Sequence, residues 1–341
     1  MGIYILRRVL IMVPILLGAS VLCFLLIDLS GDPVQNQVVA YEQQHGEAIS
    51  LSARQAIEER LYHDRNLPER YWLWLTGLGE TNGDIGLLQG KFGPSTEGPA
   101  NNIGSELKER FGTTFRLVAF ATLASIALAV ITGVVSAVRQ YSKLDHVLTF
   151  VGFLALALPT FWFAKLMKEA GVQLNDLFRT DLFKTWGDET PGFEGSAWAT
   201  FADALPYLII PTFVLMLTGY ASLSRYQRSA MLEVLNSEYI RLARAKGVPD
   251  RTVMRRHALR TALIPVATFG PLGLSFALGG SIVIEKIFGW QGIGAWAFTA
   301  ITDIDTFAAM AYLMLSGTLV MLSVILSDVL YGVIDPRIRL E

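Results

Sequence analysis

The sequence predicts an all-α membrane protein with six transmembrane helices and a small folded cap between the first and second. Three observations predict it. The 341 residues are 52% hydrophobic with a mean hydropathy of +0.43, too apolar for a soluble domain of this length. Apolar runs of about 20 residues, enough to cross a hydrocarbon core of about 30 Å as helices, recur along most of the chain. Lys and Arg gather at alternate ends of those runs, as they do where short basic segments resist translocation.

The runs fall at 9–29, 114–138, 147–164, 204–223, 262–284 and 307–333. Arg7 and Arg8 ahead of the first run resemble a secretion signal, but the run is long and lacks a small-residue cleavage site, so it reads as a retained span. Cys23 lies within it and has no second cysteine to pair with, which makes it a packing residue. Six crossings place both termini on one side. Arg7, Arg8, Arg139, Lys143, the nine basic residues between 225 and 260, Arg337 and Arg339 make that side cytoplasmic, in a multi-pass cell-membrane protein.

Three regions follow: 1–29, the cytoplasmic N-terminus and first span; 30–113, the extracytoplasmic cap; and 114–341, the transmembrane core. Residues 30–112 carry twelve Asp or Glu against seven Lys or Arg and are too long for a simple loop. Within them 52–75 has helical spacing broken by Pro68, and 77–104 reads as a Gly-rich irregular loop. A second outer segment, the insertion 165–203, holds seven acids against four bases and places Trp186 and Trp198 at the lipid interface. The third span meets Lys165, Lys168 and Glu169 early, so it is short, tilted or snorkelled.

The cytoplasmic loop 225–261 is the most informative stretch. Residues 231–246 predict one helix, with Met231, Leu232, Leu235, Tyr239, Leu242 and Ala243 on a face that buries. Gly247 suits the left-handed position after a helix end, with Arg244 and Lys246 at the negative end of the dipole. Pro249 and Asp250 restart the chain, Asp250 as cap of a second helix through Leu259. Helix, Gly turn, helix on a membrane surface is the geometry of a docking knob.

Here the residues Tyr239 to Gly247, YIRLARAKG, and 256–265, RHALRTALIP, resemble the loop motif of membrane subunits of binding-protein-dependent ATP-binding-cassette importers. The branch is that of dipeptide, oligopeptide and nickel systems, and the subunit is the B-type peptide permease. Arg241 stands in place of the acid of the family's general E-A-A-x-x-x-G motif, as is usual in the peptide branch, and Thr261 stands where Asn is common. Residues 4–34, with the Gly-Asp-Pro exit of the first span, are similar to the family, as are 114–164 with Leu158, Pro159, Thr160, Phe161 and Trp162, and the close on Asp335, Pro336 and Arg337. The likeness covers about two thirds of the chain, and departures concentrate in the outer segments, chiefly 165–203.

The resemblance implies the type I importer fold and a transport subunit, not an enzyme, that forms half of a peptide translocation pathway. Its partners would be a homologous second permease, two cytoplasmic ATP-binding subunits and an extracytoplasmic peptide-binding protein. This chain would hold no cofactor, ATP and Mg belonging to the partner subunits. Contact with the ATPase is expected through Glu238, Tyr239, Arg241, Ala243, Arg244, Lys246, Gly247, Val248 and Arg251. The bland reading of the loop is positive-inside charge on anionic lipid, which accounts for Arg225, Arg228, Arg255 and Arg256 but requires no Gly turn. Nucleic-acid binding is excluded, since the charge lies in a membrane-flanked loop without interleaved aromatics.

The fifth span, with Gly270, Pro271, Gly279 and Gly280, predicts a kinked helix lining the pathway, with Ser275 and Ser281 toward the lumen. Small residues also serve ordinary helix packing. Beyond it, 285–306 reads as a surface or re-entrant turn. Trp290 and Trp296 are expected at the lipid interface, and by resemblance Trp290, Gln291, Asp303 and Asp305 touch the binding protein. Asp28 and Asp328, near span ends, keep open an ion-coupled secondary transporter, although no inverted halves are visible. A third class is a receptor-like protein whose cap does the work. The four histidines are scattered, and no phosphate loop, H-E-x-x-H or G-x-S-x-G occurs.

Overall fold

A computed structural model describes residues 2–79, 83–98, 100–193 and 195–334; Asp335, Pro336, Arg337 and Arg339 lie outside the described residues. The described chain is predominantly helical and divides into two compact units.

One unit comprises Val9–Thr113 and Gly292–Thr318. It holds most of α1 (Gly2–Ser30), then α2 (Pro33–His45), α3 (Leu51–Arg60) and α4 (Leu67–Thr76). Each short helix starts on a polar cap: Asp32 accepts from Val34 N at 2.8 Å, Ser50 from Ala53 N at 3.2 Å, and Asn66 from Glu69 N at 3.1 Å. The helical stretch expected over 52–75 breaks at residues 61–66, where Tyr62 has φ +55°, and not at Pro68. Pro68 sits in the first turn of α4, where its missing N–H has no partner to lose. The region expected to be irregular contains a two-residue antiparallel pair, β1 (Ile85–Gly86) with β2 (Lys91–Phe92).

Phe24, Tyr62, Leu73, Trp74, Ile85, Ile103 and Met310 make this unit's core. Asp305 is buried and accepts from the Ser95 and Thr96 hydroxyls and from the backbone N–H groups of Thr96 and Ala308, which ties the cap loop to the start of the last helix. Partly buried Cys23 packs against the same core.

The other unit comprises Met1–Arg8, Thr114–Gln291 and Leu319–Glu341. Its helices are the greater part of α5 (Ile103–Val138), α6 (Lys143–Ala157), α7 (Thr160–Phe178) and α8 (Ala197–Leu235), followed by the short α9 (Glu238–Ala245) and α10 (Asp250–Thr252). A π-helical stretch (Val253–Ala258) leads into α11 (Leu259–Ala262) and α12 (Ile264–Phe288). The chain then forms α13 (Ile293–Thr302) in the first unit and ends with α14 (Thr306–Ile334).

Helices α1, α5, α8 and α14 are each long and apolar enough to cross a bilayer, and two bent pairs raise the number to six if each is one span. One pair is α6 with α7, bent by 106° at Leu158–Pro159. Helix thus continues past 164, where the third span was expected to end. Proline at 159 disfavours helical backbone at Leu158, the chain turns, and α7 carries Lys165, Lys168 and Glu169 on a helix through Phe178. The Lys168 amine donates to the Ile287 carbonyl at 2.7 Å and stands over the Trp186 ring, which gives the partly buried charge two partners. The second bend, 47°, separates Asp250–Ala262 from α12 at Leu263, just before Pro265.

Candidate functional site: a helix–glycine–helix loop and a cavity among the apolar helices

The helix expected over 231–246 is two helices. α8 ends at Leu235, Asn236 and Ser237 break the path, and α9 begins at Glu238. The break rotates α9 so that its buried anchor is Ile240, packed in a cluster with Ala137, Met231, Val253, Ala258 and Ala262. Tyr239 and Leu242, expected on the buried face, are 45% and 56% exposed. An amphipathic eight-residue helix therefore presents apolar side chains on both faces, one facing its own protein and one facing out.

Past α9 the chain closes in a Schellman motif. Gly247 at φ +74° donates to the Arg244 carbonyl at 2.9 Å, and Val248 donates to the Ala243 carbonyl at 3.2 Å. A Cβ on Gly247 would meet nothing within 4 Å, so glycine is required there by backbone conformation alone. Asp250 does not cap the next helix: Pro249 occupies that position, and the Asp250 carboxylate accepts instead from Arg244 Nε at 3.1 Å. Arg241 pairs with Glu238 at 3.0 Å in the same exposed fashion, and Arg251, Lys246 and Arg255 are exposed.

Tyr239, Leu242, Ala243, Lys246 and Val248 form one wall of a groove of about 630 Å³, and Arg256, His257, Arg260, Thr261, Ile264 and Ile334 form the other. Arg260 also donates to the carbonyls of Val333 and Ile334, closing the end of α14. The segment between α10 and α11 is π-helical, a backbone form that concentrates at functional places because its extra residue re-aims side chains.

Within the bundle, a cavity of about 620 Å³ opens between α5, α7, α8 and α12. Its wall is mostly apolar, with Thr122, Ser125, Thr218, Ser222 and Tyr226 as polar points and Phe269, Gly270 and Gly273 from α12. Of Gly270, Pro271, Ser275, Gly279 and Ser281, expected to line a pathway, Gly270 is among the residues lining this cavity. Ser275 is buried and shares a hydrogen bond of 2.6 Å with Ser323, and Ser281 is buried against the Glu285 carboxylate at 2.9 Å. Both hydroxyls are taken up by neighbouring helix groups, and Pro271 is buried, while Gly279 is exposed and is not among the residues lining the cavity. Glu285 was invisible to the spacing argument because it lies one residue past the expected span; it is buried and accepts from Thr114 at 2.7 Å as well.

The two tryptophans expected at the lipid interface are buried instead. Trp290 is 1% exposed beneath the Arg116 guanidinium, and Trp296 is buried in α13. Gln291 and Asp303 are exposed. Asp28 contacts Arg70, and Asp328 lies 3.1 Å from Arg8.

A bundle with bent third and fifth spans and a helix–glycine–helix knob between the fourth and fifth defines a membrane subunit of a multicomponent transporter. The chain belongs to the family of binding-protein-dependent transport system inner membrane components, whose model matches residues 129–340. It is 35% identical over 338 residues to the oligopeptide transport system permease protein OppB of Mycobacterium tuberculosis (strain ATCC 25618 / H37Rv), covering 99% of both chains. It is 36% identical over 342 residues to the oligopeptide transport system permease protein AppB of Bacillus subtilis (strain 168), covering 99% of this chain and all of that one. To the dipeptide transport system permease protein DppB of Escherichia coli (strain K12) it is 30% identical over 355 residues, covering 98% of each. It is thus a multi-pass membrane permease of the type I importer fold.

Proposed function

We propose that this chain forms half of the translocation pathway of an ATP-driven peptide importer and takes its conformational drive from a cytoplasmic ATPase docked on the α9–Gly247–α10 knob. Both termini are cytoplasmic. The partners are a homologous second permease, two ATP-binding subunits that hold ATP and Mg, and an extracytoplasmic peptide-binding protein.

The observation that carries this reading is the outward face of α9. Exposed Tyr239 and Leu242 beside a rigid Schellman turn are surplus to the chain's own core, whose anchor is Ile240. Apolar side chains left over from a fold in this way mark a protein contact. Exposed Arg241, Arg244, Lys246 and Arg251 ring them and supply the polar rim of such an interface. ATP binds the closed ATPase dimer in preference to the open one, and a knob seated rigidly in each subunit passes that preference to the bundle.

Peptide as cargo follows from relatives named for oligopeptide and dipeptide transport. The cavity between α5, α7, α8 and α12, faced by its counterpart on the second permease, is the pathway, with Ser125, Thr122, Thr218, Ser222 and Tyr226 as transient partners for peptide amides. Of the four expected binding-protein contacts, Gln291 and Asp303 are offered to that partner, while Trp290 and Asp305 hold the fold behind them. Secondary transport is disfavoured because each of its candidate acids is held by an arginine. Gly247→Asp and Arg251→Glu are expected to leave the protein inserted while abolishing ATP-dependent peptide uptake. Wild-type uptake by both would refute the docking role.

A further inference from the structure

Asp145 is not singled out by the sequence, yet its carboxylate accepts hydrogen bonds from Arg228, Ser136 and the Tyr141 backbone. It sits in the first turn of α6, 4% exposed. Arg228, on α8 two turns before its end, grips it with both arms: Nε to one carboxylate oxygen at 2.9 Å and NH2 to the other at 2.9 Å. Such a fork fixes orientation as well as distance. The Ser136 hydroxyl, from the end of α5, donates to the same carboxylate and accepts from Arg228 Nε at 3.0 Å. The backbone N–H of Tyr141, which takes φ +63° in the α5–α6 turn, supplies another donor at 2.9 Å. One carboxylate thus gathers α5, the turn, α6 and α8.

Two of these helices, α5 and α8, are held close by a second device. A Cβ on Gly133 of α5 would come within 2.8 Å of the Gln227 side chain and 2.9 Å of the Ser224 carbonyl on α8, so the two backbones approach closer than any other residue permits. Gln227 and Arg228 are neighbours. The clamp therefore lies where α8 is about to become the coupling segment: Met231 and Val234, on the following turn, share a cluster with Ile240 of α9 and Ala137 of α5.

Resting on the docking reading above, we propose that the Arg228–Asp145 pair is the positioning clamp of the coupling loop, binding the α5–α6 hairpin to the cytoplasmic end of α8 so that motion received by α9 moves α5, α6 and α8 as one body. Without it, α9 would still dock but would flex against α5 and α6, and ATP would be hydrolysed without a matching movement of the cavity wall. A buried pair that only stabilised the fold could be replaced without that consequence. Neither residue belongs to the docking surface. Asp145 is buried, and Arg228 is turned toward it.

The test uses the full assembly in proteoliposomes and reads ATP hydrolysed per peptide imported. Asp145→Asn keeps the shape and one accepting oxygen. Arg228→Lys keeps the charge but cannot bridge both oxygens. Each is expected to copurify with the ATPase subunits and to raise the ratio at least about fivefold, the lower end of ordinary coupling between sites. Spin labels at Lys143→Cys and Glu233→Cys, both exposed, in a Cys23→Ser background, give a second readout. Their separation is expected to be the same with and without ATP in the parent and to broaden or shift with ATP in either variant. An unchanged ratio with an unchanged label separation in an assembled variant overturns the clamp. If only one variant assembles, that variant decides. Failure of the docking reading looks different: Gly247→Asp would then import normally, whatever the label separation does.

Discussion

Gly247 separates a local requirement from a partner's requirement. Its φ of +74° is reached by other residues only with strain, yet among the described residues none beyond its own chain neighbours stands within 4 Å of an added Cβ. Gly247→Ala is therefore expected to cost only about 1 kcal/mol of loop stability. Loss of uptake beyond that in the assembly measures the fit of an external cleft. Thermal stability of the purified permease and peptide uptake, taken side by side, separate the two. His63 in the cap offers a pH prediction. Burial, reinforced by the nearby Arg70 cation, holds its imidazole below the ordinary range, while Asp32, Asp28 and Glu58 pull the other way without prevailing. Its lowered value means that the unfolded chain takes up a proton first as pH falls. The cap's stability is accordingly complete above about pH 6.5 and declines below it. Hydrogen exchange of α3 and α4 at pH 7.5 and 5.5 should show that loss of protection, and His63→Gln should reduce it.

At the scale of elements, α9 makes the sharpest forecast, because one of its faces is buried in the chain's own core and the other is exposed. Ile240→Ala, which empties a fully buried site, is expected to destabilise the permease unit by about 2–5 kcal/mol. Tyr239→Ser with Leu242→Ser, at exposed sites, is expected to change stability by less than about 0.5 kcal/mol each. The same pair should nevertheless abolish copurification with the ATPase subunits. Chemical denaturation and affinity purification report the two outcomes independently. The sequence made the helix, the glycine turn and the basic rim legible, since periodicity, the left-handed preference of glycine and charge all act locally. It misplaced the faces because the break at Asn236–Ser237 rotates α9 by an amount no window of apolar spacing records. The third span went astray for a related reason: Pro159 is a recognisable breaker, but a 106° turn followed by a further apolar helix is settled by what α7 packs against. Ser275 and Ser281 were read as lumenal from polarity alone, and in the fold each hydroxyl finds a helix neighbour. Asp145 and Glu285, whose partners lie 83 and 171 residues away, could not have been seen at all.

For the molecule as a whole, the account joins a groove-lined knob at one end of the bundle to a cavity bounded by α5, α7, α8 and α12. The two are connected through α8, which contributes Leu215 to Tyr226 to the cavity wall and runs on to the start of α9. On the proposed docking role, energy from nucleotide enters at the knob, and Asp28 and Asp328, the acids an ion-coupled carrier would use, are matched by arginines. The measurement that bears most directly on this is peptide uptake by vesicles containing the complete assembly, energised first by ATP alone and then by a proton or sodium gradient alone. Uptake with ATP, and none with either gradient, is the predicted result. Accumulation driven by a gradient in the absence of ATP would contradict the account.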